Sequence, residues 1–550
     1  MDHFYAALKD KAFKGEIDTS LPTLQAYSHD ASLFELIPKA VVFPKDTQDV
    51  EALVEAAREC LTLIPGLSLT ARSAGTCMSG GAINTSVIVD FNKHFTNIEK
   101  ISGASAHTQP GVFYRDFEKA TLKKKALLPS FPASRDLATV GGMVANNSGG
   151  EKSLQFGKTE NFVNELQVVL ADGKAYTVKP LNKRELVAKM GQKNFEGQIY
   201  SRLFKLLEDN YDLIKNAKPK VTKNSTGYNL WDVWDRQTGI FDLTKLFVGS
   251  QGTLGLITDI DFRLIHDKPY SGVLVVFMKK IDPLGELIKV VLKHKPASFE
   301  SFDNYTLELS FKFFFYFHKT LGWRKLIKLG FQLLPDLFLL MRGIPKLILL
   351  IEFTGDTPEV VSTKIHRMRQ ELEPYNLEAM EEDSTESKAY KFRIMRRESF
   401  NLLRKKVHDK HTAPFIDDFV VPPQHVTEFL PQLQKIIKKY ELLATVAGHM
   451  GDGNFHVIPL MKIEDLRERA KIQPAMREVN ELVLSYGGSI SGEHNDGMIR
   501  GPWLEQMYGK PVMDLFRQTK KILDPSNMFN PHKKTDATWK FSMSHIREKF

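Results

Sequence analysis

Three glycine-rich polar segments dominate the first half of this chain and limit what it can fold into. The first, Arg72-Ser-Ala74-Gly75-Thr76-Cys-Met-Ser79-Gly80-Gly81, follows a strand-like run at 67–71. The second runs from Pro132 through Ser134, Thr139, Gly142, Asn146, Ser148 and Gly149 to Gly157. The third is Gly249-Ser-Gln-Gly252-Thr-Leu-Gly255. Bare backbone in such loops lets successive N–H groups face an anion with no side chain in the way, which suits a diphosphate. A plain turn has the same composition, so one such loop means little and three together mean more. None is a G-x-G-x-x-G opening a helix, so the segments do not indicate a Rossmann dinucleotide site.

Around these loops the residues alternate between short β-branched runs and helical patterns. Strands are expected at 40–44, 86–91, 164–170, 245–248 and 254–263, with a helix at 50–60 and a turn at Asp172-Gly173. A second series follows: strand 271–278, helix 283–293, strand 348–353, continuing to about 457 as an antiparallel sheet with helices. The tail 476–533 reads as mainly helical and closes on Leu523-Asp-Pro-Ser-Asn-Met-Phe-Asn530-Pro531. At 550 residues, two or three cores are expected.

Only Cys60 and Cys77 are present, so this chain alone builds neither an iron-sulfur cluster nor a cysteine zinc site, and electrons must leave by another route. Cysteine scarcity and the polar start at 1–19 lead us to expect a cytoplasmic protein. The formal charge of +9 comes with no RNA-recognition, zinc-finger or helix-turn-helix signature, so nucleic acid is not an expected partner. The stretch 307–353 packs Phe311, Phe313, Phe314, Phe315, Tyr316 and Phe317 among isolated basic residues. Charges break it well short of the roughly 20 apolar residues a bilayer span needs. Two readings stay open: an interfacial membrane-docking insertion at 307–350, which would place the protein on the cytoplasmic face of the inner membrane, or core helices of the second half.

The richest chemistry lies in Gly448-His449-Met-Gly451-Asp452-Gly453-Asn454-Phe455-His456. If 451–454 is a four-residue hairpin turn, His449 stands opposite His456, with Cβ atoms about 4.5–5.5 Å apart and able to share one metal ion. Further on, Ser489-Ile-Ser-Gly492-Glu493-His494 offers a carboxylate as third ligand. Two imidazoles and a carboxylate leave open positions on zinc or manganese for the oxygens of a 2-hydroxy acid. His494 then remains as a base beside that Lewis acid, able to take the hydroxyl proton.

The three glycine-rich segments, in this order and spacing, resemble the FAD-binding domain of the vanillyl-alcohol oxidase and para-cresol methylhydroxylase (PCMH) type. The resemblance implies FAD with its diphosphate on 72–81, its ring against 139–157, and contacts at Gly252 and Ile257. Covalent members often carry a histidine in or near the first loop; none lies in this loop, so non-covalent FAD is implied. The second half resembles the C-terminal domain of the D-lactate dehydrogenase, D-2-hydroxyglutarate dehydrogenase and glycolate oxidase flavin-subunit family. That resemblance implies His449, His456 and Glu493 as metal ligands and His494 as the catalytic base. It further implies Arg396, within Lys391-Phe-Arg393-Ile-Met-Arg396-Arg397, as the guanidinium that fixes the substrate carboxylate. Tyr228 and Asn229 resemble residues near flavin and substrate, and Asn530 and Lys533 resemble those returning the C-terminus to the flavin. Two departures stand out: Gln251 where the family commonly has Glu, and Asn495 where it has Gly.

The expected fold is α+β. A helical segment at 1–35 precedes a two-subdomain PCMH-type FAD-binding domain at 36–268. An antiparallel-sheet substrate (cap) domain at 269–475 and a helical C-terminal segment at 476–550 follow. The expected activity is oxidation of a small D-2-hydroxy acid, D-lactate before D-2-hydroxyglutarate or glycolate. The acceptor would be a quinone, a cytochrome or a separate iron-sulfur protein. The alternative is a non-redox FAD-containing transferase of the alkyl-dihydroxyacetone-phosphate synthase type, which shares the fold but should bring a different histidine-rich loop.

Overall fold

A computed structural model describes residues 1–303, 345–375, 377, 379–383 and 410–548. Ala40–Phe43, Val87–Asp90 and Leu69–Arg72 form a parallel trio, with Glu16–Asp18 added antiparallel on the edge at Ala40–Phe43. Helix Thr47–Cys60 starts where the Asp46 carboxylate accepts the Asp49 N–H, one of the donors a helix start leaves unpaired. Its residues Val50, Leu53, Val54 and Ala57 fall on one face at helical spacing and bury fully against this sheet.

A five-stranded antiparallel sheet follows, in the order Ile98–Ile101, Ser105–Thr108, Leu256–Arg263, Val163–Val169, Ala175–Val178. Leu256–Arg263 alternates buried and half-buried residues, the period-2 pattern of a strand with one covered face. One expected strand is not there: Thr244–Phe247 is a helical turn. The Asp242 carboxylate accepts both the Thr244 N–H and its hydroxyl, and that local cap outweighs the β-preference of so short a run.

The second half is built on an antiparallel sheet ordered Ala379–Asp383, Tyr270–Met278, Leu347–Gly355, Ser298–Asp303, Leu443–His449, Asn454–Met461, His411–Thr412, with Phe419–Val420 also pairing Asn454–Met461. Leu347–Gly355 is buried along its whole length, so both faces are covered. It takes up the end of the 307–350 insertion; residues 307–344 of that insertion lie outside the described residues, as does Arg396. Among the described residues no helix is long and apolar enough to cross a membrane.

The C-terminal helices divide between the two halves. Ile472–Ser485 packs Ile472, Met476, Val479 and Val483 on the eight-stranded core, and the boundary expected at 475/476 falls inside it. Leu504–Leu523, kinked at Gly509 (φ 74°), turns Val512, Leu515, Phe516 and Leu523 into the core of the five-stranded sheet. Its Lys520 ammonium donates to the carbonyls of Thr253 (2.6 Å) and Phe529 (2.8 Å), which fixes the tail beside the third glycine-rich segment. The mixed helix-and-sheet class expected from the sequence is the one observed.

Candidate active site

A cavity of about 1450 Å³ opens between the glycine-rich loops and the eight-stranded sheet. From the first loop it is lined by Arg72, Ala74, Gly75 and Thr76. The second segment contributes Pro132, Ser134, Thr139, Gly142, Asn146, Ser148 and Gly149, the third Gly252, and the strand after it Ile257. The Arg72 guanidinium sits over the Tyr27 ring, 5.0 Å from its centroid. Gly75 (φ 67°) passes so close beneath that a Cβ there would meet Arg72 Nη2 at 2.5 Å. At 139, the threonine hydroxyl accepts the Gly142 N–H (3.2 Å) and starts helix Val140–Asn146. Bare amides beside a held guanidinium are a suitable cradle for an anionic dinucleotide. Near it lies the fully buried Lys533, whose Nζ has no hydrogen-bond partner; burial lowers its pKa to about 8, and Asp536, then Asp30 and Cys77 on the cavity wall, act against this. An unpaired buried cation beside the loops fits a site built for a phosphorylated ligand.

Six residues expected at the ligands lie away from the cavity wall. Ser79 is buried and accepts Gln251 Nε2 (3.1 Å), while Gly80 packs on Phe34 and Met498. Gly157 (φ 79°) ends a short helix against Asn161. The Tyr228 hydroxyl pairs with that of Thr253 (2.8 Å), and its ring meets Phe516 edge-on. Asn229 donates to Glu160 (3.0 Å) and caps Leu230–Asp232. Asn530 acts as a bolt, its amide donating to the carbonyls of Gly81 (2.8 Å) and Gln251 (2.7 Å). Apart from the two glycines, each uses its side-chain polar group in a hydrogen bond to another segment or within its own turn.

Both departures have a structural account. Gln251 donates to Ser79 and to Asn146 Oδ1 (3.1 Å each) and accepts the Gly497 N–H (2.8 Å), joining three segments through one amide. An ionised Glu could accept but not donate there. Asn495 holds a left-handed φ of 68°, a conformation Asn tolerates better than most side chains, and donates to the Gly249 carbonyl (2.9 Å) while accepting Lys534 (2.7 Å).

At the other end of the cavity, Leu443–His449 and Asn454–Met461 form the hairpin with the register His449↔Asn454, Ala447↔His456. Directly opposed histidines were expected; the turn instead comes one residue earlier, through Met450–Asp452 and Gly453 (φ 65°), so the pairing moves by two. A two-residue slip preserves the face, and the rings still meet diagonally with centroids 5.4 Å apart. His449 Nε2 and His456 Nε2 each lie 3.3 Å from Glu493 Oε1, and His494 Nε2 lies 4.0 Å from the same atom.

Each ring is aimed by a carboxylate at its other nitrogen. His449 Nδ1 pairs with Glu300 (2.7 Å), His456 Nδ1 with Asp417 Oδ1 (3.0 Å), and His494 Nδ1 with Asp417 Oδ2 (2.6 Å). Asp418 is also close, but its oxygens already accept the N–H groups of Glu493 (3.0 Å) and His494 (2.7 Å), the Ser491 hydroxyl (2.6 Å) and the Asn454 amide (3.1 Å). It fixes the 491–494 loop and has little capacity left for a ligand role. Lys223, fully buried, stands 3.3 Å from Glu493 Oε2. Burial would raise the Glu493 carboxyl, yet Lys223 and the imidazoles hold it well below the usual range. Burial likewise opposes charge on His456, but Asp417 and Glu493 push it up to about 10. A pocket that so favours positive charge, offering three imidazole nitrogens and a carboxylate oxygen, fits a divalent cation such as zinc or manganese in place of protons.

Sequence reasoning missed Glu300, Asp417, Asp418 and Lys223. Its available signal was carboxylates in apolar runs, as in Phe415-Ile-Asp417-Asp418-Phe-Val, where a charge is costly unless it is paired.

Comparison with known proteins agrees with both ends of the cavity. Residues 38–179 match the FAD binding domain family, and 269–534 match the C-terminal domain of FAD linked oxidases. The chain belongs to the FAD-linked oxidases that join these two domains. It is 28% identical over 96% of its length to D-2-hydroxyglutarate dehydrogenase of Pseudomonas putida, of which it covers 51%. The chain thus spans about half the length of the first curated relatives it matches. It is 27% identical to glycolate oxidase subunit GlcD of Bacillus subtilis (92% of this chain, 91% of the relative) and 26% identical to D-lactate dehydrogenase of Archaeoglobus fulgidus (93% and 96%). The fold is shared with 4-ethylphenol oxidase from Gulosibacter chungangensis (TM-score 0.67, 15% identity, 98% of each chain). It is also shared with an alkyldihydroxyacetonephosphate synthase (TM-score 0.65, 16% identity, 96% of this chain and 86% of that one).

Proposed function

We propose that this protein oxidises a small D-2-hydroxy acid to the 2-oxo acid, with D-lactate tested first, then D-2-hydroxyglutarate and glycolate. The observation that carries the reading is the convergence of three imidazole Nε2 atoms and Glu493 Oε1 in the same cavity as Arg72, Gly75 and Thr139. In this reading residues 36–268 hold FAD non-covalently, 269–475 form the substrate side and 476–550 close it. FAD, when bound, supplies the two-electron oxidant. His449, His456 and Glu493 hold a zinc or manganese ion that would polarise the substrate oxygens. His494, ring-stacked on His456 at 5.0 Å, accepts the hydroxyl proton at Nε2. The sheet face continues past the histidines as a mixed wall, with Ile458, Leu350 and Val273 alternating with Thr445, Glu300 and Glu352 on paired strands. A quinone, a cytochrome or a separate iron-sulfur protein then receives the electrons.

The test is anaerobic: flavin absorbance of the purified, metal-loaded protein is followed while each D-acid and its L-form, where one exists, is added. Bleaching by one D-acid alone supports the reading and names the substrate. Bound flavin that no member of the set bleaches sinks it and brings forward the non-redox transferase.

A further inference from the structure

Asp417 occupies a place that neither the hairpin nor the Glu493-His494 pair explains. It is fully buried, and its two oxygens go to different rings on different elements: His456 on a sheet strand and His494 on the C-terminal loop. Phe419–Val420, two residues on, pairs with the strand that carries His456, which sets the carboxylate's height on the sheet. From behind, the buried Arg500 donates to the backbone carbonyls of Asp417 (2.6 Å) and Asn495 (3.0 Å), tying the backbone at 417 to the loop that carries His494. Each Asp417 oxygen lies within hydrogen-bond distance of one ring nitrogen, so a single carboxylate accepts from both rings.

We infer that Asp417 is a positioning residue coupling the metal ligand His456 to the base His494 through one shared carboxylate. Resting on the function proposed above, the inference adds that both tautomers are set together. As acceptor, Asp417 puts the proton of each ring on Nδ1 and leaves each Nε2 lone pair facing Glu493 Oε1, one for metal and one for the substrate proton. His449 is set separately by Glu300, so disturbing Asp417 should reach two of the three rings and spare the third.

Asp417→Asn tests this, because an amide offers one acceptor and one donor. Only one ring can keep its Nδ1–H bond; the other must turn its Nδ1 lone pair to the amide and carry its proton on Nε2. Zinc affinity of the FAD-loaded protein is read by competition with a chromogenic chelator, and the flavin reduction rate is read at saturating D-acid and zinc. The expected result is a loss of about 10- to 100-fold in zinc affinity, in the reduction rate, or in both, with KM changed less than kcat and recovery in Asp417→Glu. Arg500→Lys, which leaves the carboxylate in place, should show the same pattern more weakly, and it serves if the asparagine variant does not fold. Zinc binding by the wild-type protein with both readouts unchanged in Asp417→Asn, or in Arg500→Lys if that must serve, overturns the inference alone. No zinc binding by the wild-type protein overturns the metal reading and the inference with it.

Discussion

Among the described residues, two clusters bring histidine and carboxylate donors together, and they differ in how they are held. At the cavity, three imidazoles and Glu493 are buried or nearly so, and each ring is fixed through Nδ1 by a carboxylate that is itself buried. On the five-stranded sheet, His107 reaches Asp259 (2.8 Å) and Glu99 (3.4 Å) from adjacent strands, with the His107 and Glu99 side chains 36% and 51% exposed. Donor types are alike, and donor atoms lie close together in both, among Asp418, His456, Glu493 and His494 at the cavity and among Glu99, His107 and Asp259 on the sheet. What separates them is convergence: a lone ring between two partly solvated carboxylates is a surface ion pair, whereas rings already oriented lose little further freedom on taking a ligand. Residue type shows where a site could be, and the groups behind the ligands show whether one was built.

The contrast can be broken most sharply at His494. His494→Asn should slow flavin reduction by the D-acid about 10²- to 10⁴-fold while FAD content and zinc affinity stay close to wild type. Equal reduction rates in stopped-flow traces would remove His494 from its role as base. Next, Glu300→Gln leaves all the proposed ligands in place and removes only the ionised acceptor behind His449. A loss of about 10- to 100-fold in zinc affinity is expected, and an unchanged chelator titration would show that orientation by Glu300 contributes nothing. His107→Ala should leave bound zinc, counted per protein by elemental analysis, as in wild type. A falling metal count would mean that the sheet cluster, and not only the cavity, holds an ion.

Much of the site was legible because its chemistry is local in sequence. His449 and His456 sit on one hairpin, where spacing pairs them, and Glu493 and His494 are neighbours in sequence; donor chemistry and the family resemblance joined the two segments. The register was misjudged by two, because turn placement depends on the 450–453 backbone, and it survived because side-chain direction repeats every second residue. Asp417 was not legible: it lies 39 residues from His456 and 77 from His494 in sequence, and only strand pairing brings them together. Tyr228 and Asn530 illustrate the converse. Polar residues near glycine-rich loops look like ligand contacts, but these two are consumed by Thr253 in one case and by the Gly81 and Gln251 carbonyls in the other. Strands were readable where burial alternates, as in Leu256–Arg263, and 245–248 failed where a single capping carboxylate decided the local geometry.

The smallest expected effect concerns the sheet cluster and pH. Burial raises the Asp259 carboxyl from 3.8 to about 6; His107 opposes this, and Glu99 and Asp261 add to it. A carboxyl raised in the fold binds its proton more tightly folded than unfolded, so its contribution to stability falls as pH rises from about 4 to about 6 and stays low above that. Asp259→Asn removes this titration and keeps an oxygen that can accept from His107. The variant should therefore be more stable than wild type at pH 8, by on the order of 1 kcal/mol once solvent screening is allowed for, with the gain shrinking toward pH 4. Thermal unfolding at the two pH values checks it. A gain that is constant with pH would mean the asparagine acts by packing, and a loss at pH 8 would mean that the ionised Asp259–His107 pair does stabilise the sheet. That outcome would make the two clusters more alike than their exposure suggests.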